Sequence, residues 1–519
     1  MPHLLTILGL GPGNPDLITR EAWDVLMHAR RVYVRTRKHP AVSGLPAHLI
    51  LRDFDAVYET GEDFAQVYAR IVDDLIALVQ QEDVVYAVPG HPLVGEATVP
   101  MLLQRARELG IQTRVVAGLS FIEPVLERLQ QSVVSSQKTG GEAHDTQHVA
   151  DNPTSFDPLD GLQICDALEL AALNHPPLNP DRPALIAQVY ARSVASDVKL
   201  TLMNQYPPHH PVAIVRATED QAAGRQDVVW APLHRLDHTD QFDHLTTLYV
   251  PAMAVVSSFE SLQDTIARLR APDGCPWDRE QTHESLRGAV LEELYEMLTA
   301  LDEGDVNALR EELGDVLMNL VMQAQIATEA EAFRMTDVIA EIDAKLKRRH
   351  PHVFGHLTVN SVGEVLTNWQ AIKHQEHVDK GAARESALDG IPPALPALAQ
   401  AQKMAHKAER AGFQWSTDKS EAARLRLAKV HEEIDEIMAA SDNDQRREEL
   451  GDLLFTLADL ADGFGIDAES ALREANLKFA RRFRSMEQLL RARGLRMSAL
   501  SLADLEAVWA EVKEAESSR

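Results

Sequence analysis

The string REELGDVLMNLV at residues 310–321 returns as REELGDLLFTLA at residues 447–458. Each copy follows an acidic triplet of one pattern, Glu292, Glu293 and Glu296 before the first and Glu432, Glu433 and Glu436 before the second. This recurrence constrains the fold more than any composition does, because the chain carries one device twice. The offset between copies, roughly 140 residues, is too long for a stacked solenoid unit, so a duplicated domain is expected.

Residues three and four apart on a helix share a face. Glu293 and Glu296 therefore point one way, with Glu292 four positions before Glu296, and Glu312 and Asp315 pair in the same manner on the next helix. Two antiparallel helices joined by the turn Glu303-Gly304-Asp305 would bring these pairs together. The second copy offers Glu432, Glu433 and Glu436 facing Glu449 and Asp452. Such clusters repel unless cations hold them. Carboxylate oxygens without Cys or His suit a hard divalent cation such as Mg²⁺. The plain alternative is a solvated acidic face, the usual meaning of one isolated Glu-rich helix; two copies in register with apolar residues weigh against it.

Basic residues repeat as well. Lys345, Arg348 and Arg349 correspond to Lys478, Arg481 and Arg482, and Trp369 with Lys373 corresponds to Trp509 with Lys513. Cations beside a metal–carboxylate cluster suit a phosphate chain. An aromatic ring four residues before a lysine could flank a base, or be a core residue at helical spacing.

The 519 residues are enough for about three domains. The formal net charge of −28 argues against binding nucleic-acid polymers, which needs a basic surface, though a bound metal would still admit an anionic nucleotide. Two cysteines, Cys165 and Cys275, give no disulfide framework and fit a reducing cytoplasm. No apolar run reaches membrane-span length, so no membrane partner is expected, and the N-terminus reads as a first strand rather than a signal peptide.

The first half alternates strands and helices: strands at 4–8, 84–88, 113–116, 184–189, 212–216 and 249–256, with helices at 19–29 and 97–109. That alternation points to a mostly parallel α/β sheet. Residues 132–155, rich in Ser, Gly, Thr, His and Asp, read as an insertion without regular structure. Beyond about residue 258 the period is helical, over 286–301, 307–329, 335–349, 422–439, 444–464 and 468–493. The segment 376–396, with Gly381, Gly390 and Pro392-Pro393, separates the copies. The expected architecture is a multidomain chain, an N-terminal α/β domain over 1–257 and two all-α domains over 258–380 and 381–519.

The acidic repeats, together with GCPWD at 274–278, KRRHPHVFG at 347–355 and NLKFARRF at 476–483, resemble the MazG family. The resemblance implies an all-α nucleoside triphosphate pyrophosphohydrolase that cleaves an NTP to NMP and diphosphate with Mg²⁺, a nucleotide-pool house-cleaning reaction. It further implies metal ligands among Glu292, Glu293, Glu296, Glu312, Asp315, Glu432, Glu433, Glu436, Glu449 and Asp452. Catalytic groups would be Glu433 and Glu436 at the activated water and Lys478, Arg481, Arg482 and Lys513 at the phosphates. In two-copy members the C-terminal copy tends to be the active one; both acidic sets are complete here. Paired helices of this kind often complete their bundle with a second chain, so a homo-oligomer is expected.

In the first half, Gly9, Gly11 and Gly13 follow strand one, Pro89-Gly90-His91-Pro92-Leu93 follows another strand, and Gly118 and Ser120 follow a third. Glycines at strand ends let a ligand approach the backbone, and three such corners at strand C-termini describe a crevice of an open α/β sheet. GLGPGNPDLIT at 9–19 with VPGHPLVGEATV at 88–99 resembles the tetrapyrrole (corrin/porphyrin) methylases, which implies S-adenosylmethionine as a ligand of those corners. His91 stands where many of that family have Asp, as a ligand contact or a loop residue. The pairing of the two halves resembles the YabN-type fusion. Two other readings stay open: a hydrolase whose N-terminal domain only senses S-adenosylmethionine, and a metal-binding regulatory scaffold without turnover.

Overall fold

The structure, a computed structural model, describes residues 3–60, 63–138, 158–216, 227–240, 242–379 and 386–517. These divide into two compact units, Met1–Glu280 and Gln281–Arg519.

The first unit holds two five-stranded sheets. The first contains β1 (Leu4–Gly9), β2 (Arg31–Val34), β3 (Ile50–Asp53), β4 (Val84–Val88) and β5 (Gln112–Val116), all parallel, in the order β3-β2-β4-β1-β5. A parallel sheet needs cover on both faces. The helices α1 (Arg20–His28), α2 (Phe64–Val79) and α3 (Thr98–Glu108) supply it, with Leu26 packed on one face and Ile71, Leu75 and Leu102 on the other. The second sheet is mixed: β6 (Gln163–Asp166), β7 (Ala184–Ala187), β8 (Pro211–Arg216), β9 (Val228–Pro232) and β10 (Thr246–Val250), in the order β6-β7-β10-β8-β9, with only β6 and β7 parallel. Val125 and Leu129 of α4 (Ile122–Lys138) cover one face and α5 (Arg192–Leu202) the other.

Two expectations change here. The segment 132–155 begins as helix, since α4 runs on to Lys138; its remainder from 139 lies outside the described residues. The last strand ends at Val250, where Pro251 removes a ladder donor.

The linker that follows is fastened to this unit. The Asp181 carboxylate accepts hydrogen bonds from the Ser257 and Ser258 amides (2.7 and 3.1 Å) and from the Ser258 and Ser261 hydroxyls (2.5 and 2.6 Å). Burial opposes its charge, yet these four donors hold the carboxyl at about 2. Ser258 also caps α6 (Phe259–Arg270), and α6 with the short helix Pro276–Arg279 lies in the first compact unit, which runs to Glu280.

The second unit is helical throughout its described residues: α7 (Arg287–Glu303), α8 (Val306–Glu329), α9 (Met335–Arg349), α10 (Val362–Asp379), α11 (Ala397–Arg410), α12 (Lys419–Ala439), α13 (Asn443–Gly463), α14 (Ala468–Ala492) and α15 (Leu502–Ser517), with a short turn of helix at Pro351–Phe354. Its central devices are two helical hairpins. Gly304 ends α7 at φ +69°, a left-handed position where a side chain would cost about 1 kcal/mol. Asp305 then starts α8 by accepting from the Asn307 and Ala308 amides (2.9 and 3.1 Å). Asp442 starts α13 in the same way, accepting from Asp444 and Gln445 (3.0 and 2.9 Å). Each such cap is worth about 1 kcal/mol. The copies also touch: the Arg473 guanidinium of α14 meets the Asp302 carboxylate of α7 at 2.7 Å. Among the described residues no helix is long and apolar enough to cross a membrane.

Candidate functional sites

In the second unit the hairpins bring together carboxylates that the sequence places about 20 residues apart. Oxygens of Glu293, Glu312 and Asp315 lie within 4.8 Å of one another, and so do oxygens of Glu433, Glu436 and Glu449. The two triads are not the same three positions. Glu296, exposed, raises the Glu293 and Glu312 carboxyls by its charge without joining the first triad, and Asp452, exposed, does the same to Glu449. Glu292 and Glu432 are exposed at the margin. Burial and then mutual repulsion push the Glu293, Glu312 and Glu449 carboxyls up from the ordinary value. Glu433 is 3% exposed and its Oε2 has no hydrogen-bond partner. Oxygen-only donors crowded against their own charge, one of them buried and unpartnered, fit a hard divalent cation.

The repeated basic residues turn out to be organised around a glutamate of the last helix in each copy. Arg481 and Arg482 of α14 hold the two oxygens of Glu516 on α15 (2.7 and 2.6 Å). Arg348 and Arg349 of α9 hold Glu376 on α10 (2.7 and 3.2 Å), and the Arg349 hydrogen bonds, then those of Arg348, pull that carboxyl down to about 2. The aromatic partners follow. In the first copy the Arg349 guanidinium and the Lys373 ammonium both lie over the Trp369 ring, 5.2 and 5.0 Å from its centre. In the second, Trp509 packs on Phe479 with ring centres 5.4 Å apart. Lys478 and Lys513 are exposed on α14 and α15.

Two residues escaped the sequence reading. Lys429 lies one turn before Glu433, and its ammonium reaches Glu432 at 3.0 Å and Glu433 at 2.9 Å. Arg426, buried at 3%, is clamped by Asp459 and Glu409 (both 3.0 Å), while the Trp415 indole donates to the same Asp459 at 2.7 Å. Their signal was a basic residue four, and another seven, positions before Glu433 on a single helix face, which the acidic repeat overshadowed.

In the first unit the strands β4, β1 and β5 are neighbours, so the loops at their C-terminal ends meet. Gly11 and Gly90, at φ +74° and +65°, exchange backbone hydrogen bonds (Gly90 N–H to Gly11 O 2.7 Å, the reverse 3.2 Å). A Cβ on Gly9 would sit 2.5 Å from the Gly90 oxygen and 2.7 Å from the Gly118 nitrogen, closer than atoms pack. The glycines are thus required by one another before any ligand arrives. Gly13 is also at positive φ. Beside this junction lies a cavity of about 410 Å³ whose wall includes Pro12, Pro89 and Gly90. Gly9, Gly11, Gly13, Gly118 and the three residues after Gly90 are not on that wall.

His91 and Ser120 serve their own loops. The His91 Nδ1 accepts from the Leu93 amide at 3.1 Å, and the Ser120 hydroxyl accepts from Ile122 at 3.1 Å and donates to Glu123 at 2.6 Å. Pro92 is buried and Leu93 is exposed.

The cavity's polar chemistry comes from residues the sequence did not single out. Arg35, just after β2, pairs with the buried Glu96 and donates through Nε to the Tyr58 hydroxyl at 2.8 Å. Its guanidinium lies 5.8 and 5.6 Å from the centres of the Tyr58 and Tyr68 rings. Glu96 also accepts from the Thr98 amide (3.2 Å) and hydroxyl (2.6 Å). His39, 3% exposed with Nδ1 unpartnered, is pushed down to about 4 by burial and then by His244, so it is neutral at pH 7.

Comparison with known proteins agrees with this division. Residues 4–229 match the model of the Tetrapyrrole (Corrin/Porphyrin) Methylases, residues 281–354 that of the MazG nucleotide pyrophosphohydrolase domain, and residues 401–478 that of the Phosphoribosyl-ATP pyrophosphohydrolase. The uncharacterized protein YabN of Bacillus subtilis is 36% identical over 99% of both chains. The nucleoside triphosphate pyrophosphohydrolase of Escherichia coli is 44% identical over 50% of this chain and 99% of its own, and the nucleoside triphosphate pyrophosphohydrolase/pyrophosphatase MazG of Thermotoga maritima 42% over 49% and 95%. The chain belongs to the MazG family of nucleoside triphosphate pyrophosphohydrolases, fused in the YabN arrangement to an N-terminal tetrapyrrole-methylase-like domain.

Proposed function

We propose that the helical unit hydrolyses a nucleoside triphosphate to the monophosphate and diphosphate using Mg²⁺ held by the carboxylate sets, with the second set, Glu433, Glu436 and Glu449, as the main site. The observation that carries this reading is the convergence of the Glu433, Glu436 and Glu449 oxygens within 4.8 Å, with a buried, unpartnered oxygen on Glu433. Bound there, Mg²⁺ supplies a Lewis acid for the phosphate oxygens and an acidified water. Asp452 adds charge at the margin. Glu436, exposed beside the buried Glu433, takes the proton as water adds to phosphorus and the P–O bond to the departing diphosphate breaks. Lys478 and Lys513, exposed on the neighbouring helices, meet the phosphate charge, while Arg481 and Arg482, braced by Glu516, keep those helices together. The curated relatives that match this half are named for this activity. Diphosphate release from a panel of NTPs and dNTPs, with Mg²⁺ and with a chelator, tests it; release insensitive to chelation refutes the metal assignment.

The first unit, on this reading, binds S-adenosylmethionine at the junction of the three glycine corners, beside the aromatic and cationic cavity. Pro89 and Gly90 offer their backbone on the cavity wall, and the space beside Gly90 is open, since a Cβ there would find no atom nearer than 3.9 Å. Methyl transfer from labelled S-adenosylmethionine distinguishes a methyltransferase from a sensor. Two free cysteines and the absence of a membrane-crossing helix among the described residues support a cytoplasmic setting.

A further inference from the structure

Four aromatic rings share one cavity wall in the first unit. Tyr58, Tyr68 and Tyr190 line it with Phe64, and three of the chain's eight tyrosines at one wall is a concentration, not a background. The rings run in a row, with centres 6.4 Å apart from Tyr58 to Tyr68, 6.0 Å from Tyr68 to Phe64 and 6.5 Å from Phe64 to Tyr190. Phe64 opens α2 beside the first sheet, Tyr190 follows β7 of the second, and both rings are exposed. The row therefore crosses from one sheet to the other. Gln188 spans the same crossing: its side-chain amide donates to the Gly95 oxygen at 3.2 Å, from a backbone at φ +64°. A side chain in that left-handed region is strained, and such strain collects at ligand sites.

The charge of the wall is already spent. Arg35 is held by Glu96 and the Tyr58 hydroxyl, and Lys38 is balanced by Asp55, so the wall has no net formal charge. A polycarboxylate would meet one exposed ammonium and no free guanidinium. The wall offers π surface and neutral polar groups instead, among them the buried His39, whose Nδ1 has no hydrogen-bond partner. Leaving that nitrogen unpaired costs free energy that a polar ligand edge recovers.

We propose that this cavity takes the methyl acceptor, and that the acceptor is an uncharged planar heteroaromatic ring of nucleobase size, stacked on the row of rings with its polar edge at His39. The acceptor role rests on the S-adenosylmethionine reading given above; the ring site does not. Aromatic side chains stack on any base, because every base has a π face. A volume of about 410 Å³ lies at the small end for ligand pockets, which suits one such ring system rather than a macrocycle. The net charge of −28 favours a free nucleoside over a nucleic-acid polymer. On transfer, a ring nitrogen takes the methyl carbon, the carbon–sulfur bond breaks with its electron pair left on sulfur, and the proton that the ring nitrogen carried leaves to solvent.

The test is calorimetric titration of the full chain, with chelator present, by adenosine, guanosine, cytidine and uridine, each with and without saturating S-adenosylhomocysteine. At least one nucleoside is expected to bind in both conditions. Phe64→Ala with Tyr190→Ala is expected to weaken it on the order of tenfold or more, as loss of base stacking does. Phe64→Tyr with Tyr190→Phe keeps both rings and keeps the affinity. An unchanged thermal transition shows that the alanine variant is folded, and Tyr190→Ala alone gives the same direction where it is not. Nucleoside binding indifferent to these substitutions lies elsewhere and overturns the proposal. So does uroporphyrin, an octacarboxylate, binding through the two rings where no nucleoside binds, or a single-stranded oligonucleotide doing the same. Exclusion of the nucleoside by S-adenosylhomocysteine makes the rings the donor's own seat and overturns the acceptor role. Ring-dependent nucleoside binding in a chain that does not bind S-adenosylhomocysteine upholds the ring site and refutes the donor reading.

Discussion

The Arg35 guanidinium and the Glu96 carboxylate form an ion pair inside the first unit, their side chains 17% and 2% exposed, with the rings of Tyr58 and Tyr68 beside the guanidinium. Arg35 leaves the end of β2 and Glu96 precedes α3, so the pair ties two loops of the sheet together at the cavity wall. Removing one member leaves the other charge buried, which costs about 3–5 kcal/mol, whereas replacing both with apolar groups of similar size costs little or nothing. Glu96→Ala is therefore expected to destabilise this unit by about that amount, and Arg35→Met with Glu96→Leu by much less. Urea unfolding followed in the first unit measures the difference; equal losses would mean that the pair contributes through its packing and not its charge.

The glycine junction predicts a different pattern. Gly9→Ala puts a carbon 2.5 Å from the Gly90 oxygen, so backbone must move. The expected result is loss of S-adenosylmethionine binding by calorimetry, with destabilisation. Gly95→Ala, on the wall of the adjoining cavity at φ +66°, meets nothing nearer than 3.8 Å and serves as the control: it costs about 1 kcal/mol of backbone strain and leaves affinity within a few-fold. Equal affinity in all three proteins would place the ligand elsewhere. Gly90→Val is a poor probe, because φ +65° strains any branched residue with or without ligand.

Proton linkage separates the metal sites from the basic clamps. The Glu293, Glu312 and Glu449 carboxyls are raised in the folded chain by burial and then mutual repulsion. A raised carboxyl binds its proton more tightly folded than unfolded, so its contribution is full below the ordinary glutamate value of about 4.3 and is lost as pH rises through the elevated value. With chelator present, thermal stability of the helical unit should fall over that interval, and Mg²⁺ should abolish the fall. Glu376, held at about 2 by Arg349 and Arg348, has the opposite sign: its contribution is present above the ordinary value and lost as pH drops towards 2. Unfolding temperatures from pH 3 to 7, with and without Mg²⁺, check both; a Mg²⁺-insensitive profile contradicts the carboxylate assignment.

The legible parts of this molecule were those with a local period. The duplicated string, the capped turn at Gly304-Asp305 and the long amphipathic helices follow from residues within a few positions of one another. So do the glycine corners, because each directly follows an apolar strand. The short strands β2 and β3 were missed, since four residues such as Arg31–Val34 carry too little alternation to stand out. So was α2, although it buries Ile71, Leu75 and Val79 at helical spacing and exposes Asp73 and Asp74 on its other face. Arg35 with Glu96 and Arg426 with Asp459 join residues 61 and 33 positions apart. No local pattern announces such partners, and the sheet order or helix packing that unites them exists only in three dimensions.

The central claim is that the carboxylate sets hold the metal that drives diphosphate release, chiefly at the second copy. Its most direct test is diphosphate release by the full chain at saturating Mg²⁺ in two charge-removing, volume-preserving variants. Glu449→Gln with Asp452→Asn is predicted to lose activity on the order of 10²-fold or more, as expected when charge stabilisation of a reacting phosphate is removed. Glu312→Gln with Asp315→Asn is predicted to lose much less. A greater loss in the first-copy variant would contradict the choice of dominant site, and full activity in both would contradict the metal-site account.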